Sequence, residues 1–283
     1  MGGEPYVQAV LRYIAERRCD DGGYCFYRLP EPNAADTRYA LSVLASLDEV
    51  RPDPPTAAFL RSRQRPDGSF ANVFVAGHAL VALDLLGVNP LYDPGPPLLR
   101  RLRILQVLAR PPEQASALEG VLAAVEACRL NGTPIDAETT DAVLRYVRLF
   151  RHPCGGFGAG QPTIAETADA VRLLLLLDRS AWAADAGAFV AAVECPGDDL
   201  IYLENAAAFV RGALLLRYRP KDPDVLRAFV LGLHHHSGGF VRSRFGGSPT
   251  LEYSFLAVET LAGLDALEMS DGPSLRDLAE RCP

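Results

Sequence analysis

The sequence is short of cationic charge, of long apolar runs and of paired cysteines, and each shortage removes a class of function. Lys and Arg number 28 against 35 Asp and Glu, for a net charge of -7. A nucleic-acid surface concentrates cations to neutralise phosphates, so this balance argues against one. The most apolar stretch, LLLLL at 173–177, is bracketed by Arg172 and Asp178. It is far shorter than the ~20 residues a membrane-spanning helix needs. The N-terminus, MGGEPYVQAVLRYIAERRCDDGG, carries charges among its apolar positions and has no continuous apolar segment. It does not read as a signal peptide, and a cytoplasmic location is expected. Six cysteines at 19, 25, 128, 154, 195 and 282 include no CxxC pair, so neither a zinc ribbon nor a thioredoxin motif is present. Reduced thiols filling core and turn positions are expected. Strand signals are almost absent, and the one Trp is Trp182.

What is present is a repeat. Four glycine turns align: DGGYCF at 21–26, DGSFAN at 67–72, CGGFGA at 154–159 and SGGFVR at 237–242. Measured at Gly23, Ser69, Gly156 and Gly239, the gaps are 46, 87 and 83. The last two are about twice the first, so a degenerate unit belongs in each, at 110–128 and 194–216. Units of this length mean a helical or propeller array. Helix pairs fit: each turn leads into a segment apolar nearly all round, such as DTRYALSVLASL, VAGHALVALDLL, ETADAVRLLLLL and YSFLAVETLAGL, as a buried helix requires. Between them lie amphipathic segments with an Arg-rich face, including PPTAAFLRSRQR, TTDAVLRYVRLFRH, AWAADAGAFVAAVE and DPDVLRAFVLGLHH. The predicted fold is all-α, an (α/α)6 barrel in one domain over 1–283. Its repeats lie near 4–48, 54–88, 96–128, 136–178, 181–217 and 222–266, with a tail over 267–283. The first and last turns are well formed rather than polar caps, which favours closure over an open solenoid.

A GGF turn, a short loop and a Thr or Ser leading an AVxxLxxL helix resembles the prenyltransferase and squalene-cyclase repeat. The stretch from Asp222 to Leu264 is similar to the end of a protein-prenyltransferase β subunit. The resemblance implies a funnel lined by inner helices that holds an isoprenoid chain. It implies either a zinc-dependent transferase, with basic residues on a diphosphate, or a cyclase with an Asp-rich acid motif. The zinc pattern aligns on Leu203, Asn205 and Tyr253, which are not zinc ligands, so the expected cofactor complement is none and zinc is not expected. A rearranged site from Cys25, Cys154, Cys195 and His234, His235 and His236 stays open. The cationic loop of the transferases is replaced by CPGDDLIYLEN, where Asp198 and Asp199 offer Mg²⁺ only two side chains. Arg242 and Arg244, in the last GGF loop, could meet an anion at the rim or equally face solvent.

No DxDD or DCTAE occurs, yet acids open several inner helices: Asp36, Glu166, Glu204 and Glu252. A carboxylic acid in an apolar funnel has a raised pKa and can donate a proton, so these four are the candidate catalytic residues. Glu252 and Glu204 lie nearest the family's catalytic Asp. At a helix N-terminus each can equally be a cap. Tyr39, Phe74, His78, Tyr202, Phe209, Tyr253 and Phe255 are the candidate lining for an apolar, isoprenoid-like substrate. The expected function is acid-initiated cyclisation or rearrangement of such a chain. The alternatives are a divergent prenyltransferase and a non-catalytic lipid-binding or scaffold barrel with a protein partner on its outer helices.

Overall fold

A computed structural model describes residues 5–26, 31–107, 117–193 and 201–269. In chain order the helices are α1 (Pro5–Ala15), α2 (Ala34–Ser46), α3 (Pro54–Arg61), α4 (Val73–Leu85), α5 (Gly95–Arg103), α6 (Ala117–Leu130), α7 (Ala137–Arg148), α8 (Ile164–Leu176), α9 (Ser180–Ala184), α10 (Gly187–Val193), α11 (Leu203–Leu216), α12 (Pro223–Leu231) and α13 (Leu251–Met269). A short 3₁₀ turn, Ile104–Val107, extends α5. Among the described residues the only β pairing is isolated bridges, and no helix is long and apolar enough to cross a membrane. The fold class is therefore all-α, as the helical periodicity predicts.

The chain forms two compact units. The first comprises Met1–Asp93, Ile201–Ala207 and Pro223–Ala262; the second comprises Pro94–Leu200, Ala208–Asp222 and Gly263–Pro283. In the first unit α4 packs against both α2 and α3. Helix α1 buries Tyr6, Val7, Val10, Tyr13 and Ile14, spaced as one helical face, against Phe240, Leu251 and Val258. In the second unit α8 packs on α6, with α9 and α10 against it. Helix α8 is buried along nearly its whole length, whereas α7 buries one face and ends in the basic residues Arg145 and Arg148. That contrast is the difference between an apolar-all-round segment and an amphipathic one.

The repeated turn has one local structure. Gly22, Gly68, Gly155 and Gly238 each have positive φ, between 81° and 99°, and each N–H closes a tight turn on the carbonyl three residues back. In three of the turns the following aromatic, Tyr24, Phe157 or Phe240, is bridged on both sides, to the end of the preceding helix and to the start of the next. Its N–H donates to a buried hydroxyl in that next helix: Thr37 at 3.0 Å, Thr167 at 2.9 Å and Ser254 at 3.2 Å. Each hydroxyl in turn donates to the carbonyl four residues back. Thus the small hydroxyl residue of the motif satisfies a buried backbone donor that would otherwise cost ~1–3 kcal/mol.

The glycines also set packing. A Cβ on Gly22 would fall on the backbone of Pro55 at the start of α3, and one on Gly155 would fall on the carbonyl of Asp185. A Cβ on Gly238 would fall on the carbonyl of Ala9 in α1. The last turn therefore seats on the first helix, and the Tyr13 hydroxyl donates to the Pro249 carbonyl at 2.7 Å across 236 residues. The segment predicted as one outer helix over 181–194 instead breaks at Asp185–Ala186 into α9 and α10. The Gly155 turn sits against this break, and Arg151 pairs with Asp185 there.

Candidate functional site

The four predicted acids have separate environments. Asp36 is a capping residue of α2: its carboxylate accepts from Asn33 Nδ2 at 2.7 Å and from the Phe26 N–H at 3.0 Å. Its N–H donates back to Asn33 Oδ1 at 2.8 Å. Burial raises its pKa, and the two hydrogen bonds oppose the rise. Glu166 is tied into the first turn of α8: Thr163 Oγ1 donates to its Oε2 at 2.9 Å, and the Ala159 N–H donates to its Oε1 at 2.9 Å. Glu204 is ion-paired, accepting from Arg242 Nε at 2.6 Å. Glu252 is exposed on the first turn of α13.

Five of the predicted lining residues gather in two places in the first unit. Tyr39 stacks on Phe255 with centroids 5.4 Å apart and meets the edge of His78 at 5.5 Å. The Arg38 guanidinium lies 5.2 Å from the Phe255 centroid. Burial and the charge of Arg38 push His78 down to about 4, so the imidazole is neutral at pH 7, and its buried Nδ1 has no hydrogen-bond partner. The second place is the start of α11, where Arg242 stacks on Tyr202 at 4.5 Å while bonded to Glu204. Phe74 is half-buried on α4. Arg244 packs over Phe229 at 5.4 Å. Phe209, in the second unit, is buried edge-on to Tyr218.

The zinc positions can be tested by their donor chemistry. Leu203 is fully buried and has no lone pair to give. The Tyr253 phenol is pushed up by burial and by the charge of Glu204, away from the phenolate a metal would take. Arg242 places its own cation on Glu204. This donor set does not fit zinc. Among the described residues no three His, Cys, Asp or Glu side chains gather to hold a metal. His235 and His236 lie ring against ring at 3.9 Å, with His235 bonded to Ser237, and His234 packs edge-on to Phe240. Cys154 is exposed on its turn and Cys25 is buried. Cys195, Asp198 and Asp199 lie outside the described residues.

One acid that sequence reasoning missed stands in the interior of the second unit. Asp169, on α8, is pushed up to about 7 by burial. The other charges acting on it are Arg211 and Arg172, which lower it, and Glu119 and Glu126, which raise it. Arg211 Nη1 lies 3.9 Å from Asp169 Oδ1, and Arg172 Nε lies 2.5 Å from Glu126 Oε1. The side chains of these two pairs are at most 18% exposed. Asp169 and Glu126 each lie beside one guanidinium, of Arg211 and Arg172, whereas Glu119 is exposed and acts on Asp169 only through its charge. Desolvation penalises the carboxylate, so Asp169 keeps its proton to a higher pH than an exposed Asp does. A signal was legible: ETADAVRLLLLL, AAFVRGALLL and LAAVEAC each carry a charge inside an apolar helix. Two surface grooves, about 630 and 480 Å³, lie on α5 and α3 rather than at any of these residues.

The family model for the prenyltransferase alpha-alpha toroid domain matches residues 4–81 and 112–195, together more than half of the chain. The chain belongs to the prenyltransferase alpha-alpha toroid family. The toroid match covers the first three glycine turns, helices α1 to α3, most of α4, and α6 to α10. It spans Asp36, His78 and Asp169 but not Glu204 or Glu252. No curated protein matches the chain.

Proposed function

We propose that this toroid protein is an isoprenoid-handling enzyme that starts a cyclisation or rearrangement by protonating an alkene of an apolar chain, with Asp169 as the acid. The observation that carries the reading is the Asp169 carboxyl, raised to about 7 by burial beside Arg211. Alkene protonation needs a carboxylic acid that is still protonated at working pH, which an ordinary exposed Asp is not. The proton passes from the carboxyl to one alkene carbon, leaving a cation on the other. A neighbouring double bond attacks that cation, and a proton returned to the carboxylate closes the sequence. Arg211 stabilises the Asp169 carboxylate while the cation exists, so the acid is not so weak that transfer stalls. Family membership supports the isoprenoid character of the substrate; the choice of acid chemistry over prenyl transfer rests on Asp169.

The test is incubation of the purified protein with farnesyl and geranylgeranyl diphosphate, with and without Mg²⁺, followed by mass spectrometry. An isomer that retains its diphosphate, formed by wild type and not by Asp169→Asn, is the expected result. Released diphosphate would replace this reading with prenyl transfer. Intact substrate and no binding would leave a scaffold or neutral-lipid role.

A further inference from the structure

Cys19 and Cys25 stand at the two ends of the first glycine turn. The Cys19 N–H donates to the Gly23 carbonyl at 2.8 Å and the Cys25 N–H to the Arg17 carbonyl at 3.0 Å. These bonds flank the antiparallel bridge Arg18↔Tyr24. In an antiparallel pair the bridged residues share one face and their neighbours share the other, so both thiols project from the same side of the turn. The Cys19 sulfur lies 3.9 Å from the Arg17 carbonyl oxygen, the same oxygen that receives the Cys25 N–H. The Cys25 thiol also lies near enough to act on the Cys19 thiol. Burial pushes the Cys19 thiol up, and the Cys25 thiol, Asp21 and Asp20 push it further. Both cysteines are thiols, not joined in a disulfide; Cys19 is half-buried and Cys25 is buried.

We propose that Cys19 and Cys25 are a modification site: a thiol pair that a low-molecular-weight disulfide converts to a reversible disulfide across the turn. Cys19, the more accessible, reacts first. Its thiolate attacks one sulfur of glutathione disulfide, the S–S bond breaks, and glutathione thiolate leaves. The Cys25 thiolate then attacks the Cys19 sulfur of the mixed disulfide and expels the second glutathione. The cysteine pair is oxidised by two electrons and one glutathione disulfide is reduced to two thiols; the two protons lost from the cysteines are taken up by the departing thiolates. The bond fastens the segment whose Tyr24 and Phe26 N–H groups hold the first turn of α2 through Thr37 and Asp36.

The experiment uses the full chain. It is incubated with glutathione disulfide in mildly alkaline buffer, remaining thiols are alkylated, and the protein is cut with trypsin. Cleavage after Arg18 and Arg28 leaves both cysteines in the peptide 19–28. That peptide is expected about 2 Da below the dithiol mass, unalkylated, and restored by dithiothreitol. The Cys25→Ser variant is expected to stop at a glutathione adduct on Cys19. Exposed Cys154 reports that glutathione reached the protein. Alkylation of both Cys19 and Cys25 while Cys154 carries glutathione would overturn the proposal. So would a wild-type peptide that stops at the glutathione adduct.

Discussion

Replacing Asp169 by Asn should change how stability depends on pH. In the folded chain the Asp169 carboxyl is raised from 3.8 to about 7. For an acid whose folded pKa is raised, the native state holds a proton that the unfolded state has already lost. The contribution of the site is therefore fully present below the unfolded pKa and is lost as pH rises through the folded one. One pKa unit is worth about 1.4 kcal/mol, so the rise at Asp169 amounts to roughly 4 kcal/mol between pH 4 and pH 7 as an upper bound. The amide of the variant does not titrate, so subtracting the variant's stability from that of wild type isolates this site from every other carboxyl. Urea unfolding at pH 5, 6, 7 and 8 measures the difference. Wild type should lose ground to Asp169→Asn by about 1 kcal/mol per pH unit up to neutrality, with the difference level above it. The loss of the Arg211 partner shifts the whole curve but not its slope. A difference independent of pH would refute the raised Asp169 carboxyl, and with it the acid assigned to catalysis.

Removing the hydroxyl at Thr167 with Val strands the buried Phe157 N–H; the expected cost is about 1–3 kcal/mol in urea unfolding, with Thr167→Ser close to wild type. Gly238→Ala forces a side chain onto the Ala9 carbonyl at a backbone angle of +99°, and thermal melting followed by circular dichroism should show a large loss of stability or no folded protein. Arg172→Met leaves Glu126 as an uncompensated buried charge and should cost about 3–5 kcal/mol, whereas adding Glu126→Gln should recover much of it. A double-mutant cycle showing simple additivity would argue against that ion pair. Product formation should fall as pH rises past about 7, where Asp169 loses its proton, and rates measured from about pH 5 to pH 9 check this.

The sequence by itself determined the helices, the order of buried and amphipathic segments, and the turn that joins them. These follow from local rules: helical periodicity, Gly where φ is positive, and a hydroxyl four residues from the carbonyl it bonds. Asn33 and Asp36, or Thr163 and Glu166, are also legible as caps, because each pair interacts within one helical turn. Only the tertiary structure decided which acid sits in low dielectric. Asp36 and Asp169 are the same residue type on similar helices, yet one is held by its own N-terminus and the other faces charges from α6 and α11. The field at a carboxyl is a sum over groups far apart in the chain, and no pattern along the sequence encodes that sum. The same reason hid the Arg242–Glu204 pair, which joins residues 38 apart between the positions, Leu203 and Asn205, on which the zinc pattern aligns. Helical periodicity put each charge on a helix; packing alone supplied its neighbours.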